Sequence, residues 1–282
     1  TMERQKKVAI FNDLSGFGRC SISVMLPILS VMGHQGVAIP TAILSMHTEF
    51  PHYHMVDFTD ELPAYLKSFT SEQICFDAVC TGFLGSERQA DILQRWLSGM
   101  KGDPMIIVDP VMGDHGKCYP TIDAAIVEKM RGLVSYADVL LPNLTELCLL
   151  CEVPYPDQRP STEFLLSCCR QLEAKGVHQI VVTGMEEERQ ITTFVYSAGS
   201  YAKIRNEKIG IGRPGSGDVF AAVVSGSLLS GYSLADSVRK AADFVKESME
   251  LTLQQSTPHA YGLCFEPLLK TLCDPGSEQK FT

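Results

Sequence analysis

Short apolar runs bounded by polar or turn-forming residues punctuate the chain. Val8-Ala9-Ile10-Phe11 stops at Asn12-Asp13, and Met105-Ile106-Ile107-Val108 stops at Asp109-Pro110. Such short runs predict strands buried on both faces. The pattern predicts strands over 8–11, 36–40, 76–80, 105–108, 138–141 and 179–183. Between them, helices are predicted over 21–32, 60–69, 86–99, 122–133 and 162–175. Gly33 and Gly176 follow two of these stretches as stop signals, and Ser86 stands where an N-cap belongs. Further on, 191–196 and 201–206 flank Ser197-Ala198-Gly199-Ser200 and predict an antiparallel hairpin. Helices are predicted over 216–229 and 234–253, and the chain after Thr257 is less regular.

Strands alternating with helices predict an α/β chain, a single α/β/α three-layer domain over 1–282 with a mostly parallel central sheet. In such sheets ligands bind outside the carboxyl ends of the strands. The loops that follow the strands are therefore where chemistry is expected.

Composition narrows the function classes. A chain of 282 residues with 45% hydrophobic residues buries a full core without metal or disulfide staples. A net charge of -9 argues against nucleic acid or an anionic membrane as a partner, since both need a basic face. It leaves a phosphate ligand open, because backbone N–H groups at helix starts bind anions without side-chain charge. No apolar run is long enough to span a bilayer, and Thr1 to Lys7 carries no apolar signal region, so a cytoplasmic location is expected. Ten cysteines are scattered through apolar segments. Cys148 and Cys151 form a C-x-x-C on an apolar helical stretch with no second pair at zinc spacing, which points to packing.

The strand-end loops hold a consistent polar set. Asp13, Ser15 and Gly16 follow the first strand; Ser45, His47, Thr48 and Glu49 follow the second; Gly82-Phe83 follows the third. Asp109 and Asp114 follow the fourth, Asn143 and Glu146 the fifth, and Thr183-Gly184 the sixth. The sharpest local signal is Gly210-Ile211-Gly212-Arg213-Pro214-Gly215-Ser216-Gly217-Asp218 at the start of a helix. Glycines let the backbone turn its N–H groups inward, and the helix adds its positive end, which suits a phosphate being transferred. An Asp there can take a proton from a hydroxyl beside that phosphate. From this nonapeptide alone, a glycine-rich turn whose Asp caps a helix competes on equal terms. The Lys-Ser/Thr ending of a P-loop is absent.

Gly16-Phe17-Gly18-Arg19-Cys20-Ser21 sits where a dinucleotide fingerprint would lie, but a serine stands at its third glycine and no acidic residue ends the second strand. It is expected to be a tight turn lining a small-molecule pocket. Asp114 and Glu146 suit magnesium, which takes most of its ligands from substrate phosphates and water. His47, Glu49, His52 and His54 lie in a loop without rigid spacing and are expected to line a pocket or face solvent.

Taken together the motifs resemble the pyridoxal kinase branch of the ribokinase-like superfamily. The segments that carry the resemblance are Thr41 to Thr48, Asp109-Pro110-Val111-Met112-Gly113-Asp114, Pro142-Asn143 with Glu146, and Gly215 to Ala222, in the family's order. The resemblance implies ATP-dependent phosphorylation of the 5′-hydroxymethyl group of pyridoxal, pyridoxine or pyridoxamine. It implies Asp218 as general base and Gly215, Ser216 and Gly217 as an anion hole. Asp13, Ser15, Ser45, His47, Thr48, Phe83 and Tyr119 would then contact the acceptor. Asp109, Asn143, Glu146, Thr183, Gly184 and Arg213 would face the nucleotide, with magnesium at Asp114 and Glu146. The resemblance further implies a monovalent cation such as potassium, and a homodimer.

Three positions depart from the family pattern: Ser216 replaces a threonine, Met46 an asparagine and Leu44 an aromatic residue. The first loop, Asn12-Asp13-Leu14-Ser15-Gly16, is closer to hydroxymethylpyrimidine kinases of the same superfamily. That leaves a pyrimidine acceptor as the second reading, and a non-catalytic pyridoxal-phosphate-binding protein as the third. Residues 115–119 fall where relatives carry a flap over the substrate.

Overall fold

The first strand continues beyond its apolar run. In the computed structural model, which describes residues 4–273, β1 spans Lys7–Ser15. Its parallel ladder with β2 (Gln35–Leu44) resumes after a register shift between Asn12 and Leu14, so the polar pair Asn12-Asp13 lies inside the strand rather than after it. Between these strands runs α1 (Ser21–Val31), and Gly33 follows it at φ +86°. The chain then forms β3 (Met55–Asp57), α2 (Leu62–Ser71), β4 (Ala78–Thr81) and α3 (Glu87–Ser98). The Ser86 side chain accepts from the Gln89 N–H and caps α3 as expected.

Next come β5 (Met105–Val108), a small hairpin of β6 (Gly113–Asp114) and β7 (Lys117–Cys118), and α4 (Ala124–Leu133). They are followed by β8 (Val139–Leu140), α5 (Leu144–Cys151), α6 (Thr162–Glu173) and β9 (Gln179–Glu186). The hairpin predicted near 191–206 is β10 (Gln190–Ser197) with β11 (Ser200–Glu207), closed by Ala198 at φ +45° and Gly199 at φ +83°. Two helices, α7 (Ser216–Leu229) and α8 (Leu234–Gln254), complete the set. The hydrophobic pattern did not announce β3 or the β6–β7 hairpin, because two or three residues are too few to show a period.

The main sheet has nine strands in the order β11-β10-β9-β8-β5-β4-β1-β2-β3. Pairs from β2 through β9 are parallel, and β3, β10 and β11 join antiparallel. Each parallel strand divides its side chains between two cores. Ala9, Phe11, Val79 and Val108 face α2 to α6, while Val8, Ile10, Cys80 and Ile107 face α1, α7 and α8. That division is why these strands read as continuous apolar runs. Residues Val219 to Ser227 of α7 are buried without interruption, so that helix has no polar face. Among the described residues no helix is long and apolar enough to cross a membrane. All ten cysteines are free, and Cys148 and Cys151 are buried in α5.

Candidate active site

The strand order reverses beside β1, which has β2 on one side and β4 on the other. The crevice outside the carboxyl ends of such a pair is where open α/β sheets take ligands. Asn12 bridges it. Its Oδ1 accepts from the N–H groups of Phe83 and Asp13, both at 2.9 Å, and its Nδ2 donates to Asp218 Oδ1 at 3.1 Å. Two N–H donors on one side of the amide identify that atom as oxygen and leave the NH2 for the carboxylate.

Asp218 lies in the first turn of α7. The preceding cap, Gly215, has φ +76°, and a Cβ there would collide with the carbonyl oxygen of Arg19. Glycine is thus required by both conformation and space. Around Gly217, by contrast, a Cβ would meet nothing within 4 Å, so open space adjoins the start of the helix. The Ser216 N–H is bonded to the Arg213 carbonyl at 3.2 Å. Of the three residues expected to form an anion hole, Ser216 thus has its N–H occupied within the protein. Gly217 and Asp218 have no carbonyl one turn back to bond, so their N–H groups remain for an anion.

The Ser21 N–H at the start of α1 also faces the Asp218 carboxylate, so Asp218 stands between two helix N-termini. Its pKa is pushed up to about 6, chiefly by burial; the Ser21 N–H and the Asn12 amide oppose the rise, and the nearby charge of Asp13 adds to it. A carboxylate so placed is ionised at neutral pH and has a proton affinity close to working pH, as a general base requires.

Three more acids gather beside it. Glu146 is buried and takes N–H groups from Met112 at 3.0 Å and Asn143 at 2.9 Å, while Asn143 returns the bond to the Glu146 N–H, a reciprocal cap for α5. Burial raises the Glu146 carboxyl, and Asp114 raises it further against those N–H groups. Asp109 is raised by burial and then by the charges of Glu146 and Asp218, which places it near both. Asp114 is half exposed on the β6–β7 hairpin and accepts from the His115 N–H at 2.7 Å. Asp109 thus feels the charges of both Glu146 and Asp218, while Asp114 acts on Glu146. Tyr119 belongs to the same group: burial, then Glu146, Asp114, Asp109 and Asp218, push its phenol up.

On the acceptor side, the Gly16 and Phe17 N–H groups bond the Leu44 and Ser45 carbonyls at 2.9 and 3.0 Å, joining the loops after β1 and β2. The Ser45 hydroxyl accepts from the His54 N–H at 2.9 Å, and Thr48 is exposed. The half-buried Phe83 follows β4, and its carbonyl accepts from the Thr41 hydroxyl at 3.0 Å. The Asp13 carboxylate is buried and takes hydroxyls from Ser21 and Ser15 at 2.5 and 3.0 Å. On the opposite side, the Asn143 amide donates to the Gly113 carbonyl at 2.8 Å. Thr183 bridges to Asn143, and Gly184 beside it is exposed at φ +70°.

Two expected ligand contacts are turned to other uses. The Arg213 Nη1 donates to the Thr257 and Pro258 carbonyls at 3.0 and 2.9 Å, so this guanidinium clamps the loop before α7 to the segment after α8. His47 is buried, its Nε2 donates to the Ala260 carbonyl at 2.6 Å, and its Nδ1 accepts from the Glu49 N–H at 3.4 Å. Both ring nitrogens are occupied within the protein. The partner in each case is the segment 257–262, which the sequence showed only as irregular chain. That segment also receives Arg19 N–H on the Tyr261 carbonyl at 3.3 Å, and His259 Nε2 donates to the Gly212 carbonyl at 2.7 Å. It therefore ties together the loops after β1, β2 and β11. Sequence reasoning also missed Asn12 and Gln89. Gln89, 1% exposed, donates to the Thr41 carbonyl and Thr59 hydroxyl at 2.8 Å and accepts from the Gly85 N–H at 2.7 Å. A polar residue inside a buried run was the available signal for Asn12; nothing local marked the segment 257–262.

A doubly covered parallel sheet with a glycine-capped helix start, a raised carboxylate and an acid cluster at the strand ends defines a small-molecule kinase of ribokinase-like fold. Residues 26–261 match the phosphomethylpyrimidine kinase family, and the chain belongs to it. It is similar to a pyridoxine/pyridoxal/pyridoxamine kinase of Bordetella avium, with 28% identity over 84% of this chain and 82% of that protein. Among solved structures it resembles a putative phosphomethylpyrimidine kinase of Bacteroides thetaiotaomicron crystallised with pyridoxal, at 36% identity and TM-score 0.92, covering 96% of this chain and 97% of that one. It also resembles the pyridoxal kinase of Lactobacillus plantarum, at 30% identity and TM-score 0.90, covering 98% and 99%.

Proposed function

We propose that this kinase transfers the γ-phosphoryl group of ATP to the 5′-hydroxymethyl group of a B6 vitamer: pyridoxal, pyridoxine or pyridoxamine. The observation that carries the reading is the setting of Asp218, held by Asn12 between the starts of α1 and α7, beside open space at Gly217. The similarity to kinases named for B6 vitamers supports the acceptor class.

In this mechanism Asp218 accepts the proton of the acceptor hydroxyl as its oxygen attacks the γ-phosphorus in line. The Gly217 and Asp218 N–H groups bind the charge that develops on the equatorial oxygens, and positioning supplies most of the rate. Asn12 keeps the base oriented. The acid cluster has the chemistry of a magnesium site: hard oxygen donors, of which Asp109 is raised first by burial and then by the charges of Glu146 and Asp218, a repulsion that a cation would relieve. Among the described residues no three His, Cys, Asp or Glu side chains are grouped to hold a metal by themselves; magnesium takes most of its ligands from phosphates and water. Asp109 and Glu146 would hold it, and it would supply charge neutralisation on the transferred group.

The second reading, a hydroxymethylpyrimidine acceptor, is favoured by the family match and by the first loop. Incubating the protein with ATP and magnesium against each of the three vitamers and hydroxymethylpyrimidine, and weighing the products, separates the two. A phosphorylated pyrimidine without any phosphorylated vitamer removes the B6 reading.

A further inference from the structure

The mechanism leaves one buried carboxylate unused. Asp13 lies in β1 and is 8% exposed. Its Oδ1 takes the Ser21 hydroxyl at 2.5 Å, its Oδ2 takes the Ser15 hydroxyl at 3.0 Å, and its N–H is held by Asn12 Oδ1 at 2.9 Å. The Ser21 bond joins β1 to the first residue of α1, and the Ser15 bond lies within β1.

That first residue is unusual. Ser21 has φ +54°, a left-handed conformation that costs a non-glycine residue on the order of 1–3 kcal/mol. Nor is α1 secured in the ordinary way, since its N-cap, Cys20, makes no side-chain capping bond. What the strained backbone achieves is the direction of one N–H, which faces the Asp218 carboxylate and favours its ionised form. A chain running into α1 with ordinary dihedrals would turn that N–H elsewhere.

We propose that Asp13 is a positioning residue: by clamping the Ser21 hydroxyl it holds the left-handed start of α1 and so aims the Ser21 N–H at Asp218. The role expected of Asp13, contact with the acceptor, is replaced by one exerted through Ser21. The inference rests on Asp218 being the base.

The test compares Ser21→Ala, Ser21→Gly, Asp13→Asn, the Ser21→Gly/Asp13→Asn double variant and Asp218→Asn in the full chain, by kcat, KM for each substrate and Tm. Ser21→Ala removes the clamp and keeps the strain, and should lower kcat about 10-fold or more while both KM values stay within about 2-fold. Asp13→Asn should do likewise. Ser21→Gly keeps the N–H and adopts the left-handed conformation freely, so it should recover most of kcat, and the Asp13→Asn effect should shrink in its background. Unchanged kcat in Ser21→Ala and Asp13→Asn overturns the proposal. So does a kcat that falls only in step with Tm, with glycine no better than alanine, as a purely structural role would give. A raised acceptor KM at full kcat in Asp13→Asn overturns it in favour of direct acceptor contact. Asp218→Asn with near-normal turnover removes the base reading and this inference with it; an inactive Asp218→Asn beside a normal Ser21→Ala removes the inference alone.

Discussion

The Asn12 amide donates to the Asp218 carboxylate across 206 residues of chain, at 3.1 Å. The bond joins β1 to the first turn of α7 and ties down Oδ1 of the carboxylate. Asn12→Ala should lower kcat about 10- to 100-fold with much smaller changes in nucleotide KM, because an unanchored base loses orientation before it loses its neighbours. Steady-state kinetics with each substrate varied in turn measures this. Equal losses in both KM values at constant kcat would place Asn12 in binding instead.

The pH dependence follows from the raised Asp218. The group is ionised above about 6 and protonated below it, so kcat/KM should fall as pH drops through that value. For stability the sign is opposite. A carboxyl raised in the folded state favours folding when protonated; that contribution is fully present below its unfolded pKa and is lost as pH rises through about 6. Asp218→Asn should therefore be inactive yet melt roughly 2–6 °C higher near pH 8, with the gain shrinking towards pH 4. Calorimetry at several pH values checks it.

Gly215 and Gly217 should respond differently to alanine. At Gly215 the left-handed conformation and the Arg19 carbonyl both oppose a side chain, so Gly215→Ala should destabilise the fold by about 2–4 kcal/mol and abolish turnover. Gly217→Ala meets no protein atom, and its urea midpoint should stay close to that of the parent. Its methyl group enters the open space at the helix start, so turnover should still fall. A stable and fully active Gly217→Ala would count against phosphate binding there.

Gln89 supports the acceptor side from below. Replacing it by leucine leaves the Thr41 carbonyl with the Phe58 N–H alone and the half-buried Gly85 N–H without its partner, which should cost about 1–3 kcal/mol in urea unfolding. Thr41 also donates to the Phe83 carbonyl, so the acceptor KM should rise more than the nucleotide KM. A nucleotide KM that moves as much would show that the network is not confined to one side.

Much of the architecture follows from local pattern. The runs at 8–11 and 105–108, the Ser86 cap and the hairpin turn at Ala198-Gly199 are each decided by side chains within a few residues, through burial on two faces, a capped N–H or a left-handed backbone. Gly215 to Asp218 is of the same kind, and so the segment stands out in the amino-acid sequence alone. Its meaning is not local. Whether Asp218 caps a turn or waits as a base depends on Asn12, Ser21 and Asp13, which reach it only because β1 lies where the strand order reverses, between β4 and β2, and α1 packs beside α7. His47 and Arg213 show the converse. Their residue types suggested ligands, but folding supplied carbonyls of 257–262 as partners. By itself the sequence determined most of the strands and helices and where the glycines must turn, since those depend on neighbouring residues. Only the tertiary structure decided which polar groups face one another, since those distances are set by strand order and helix packing over the whole chain.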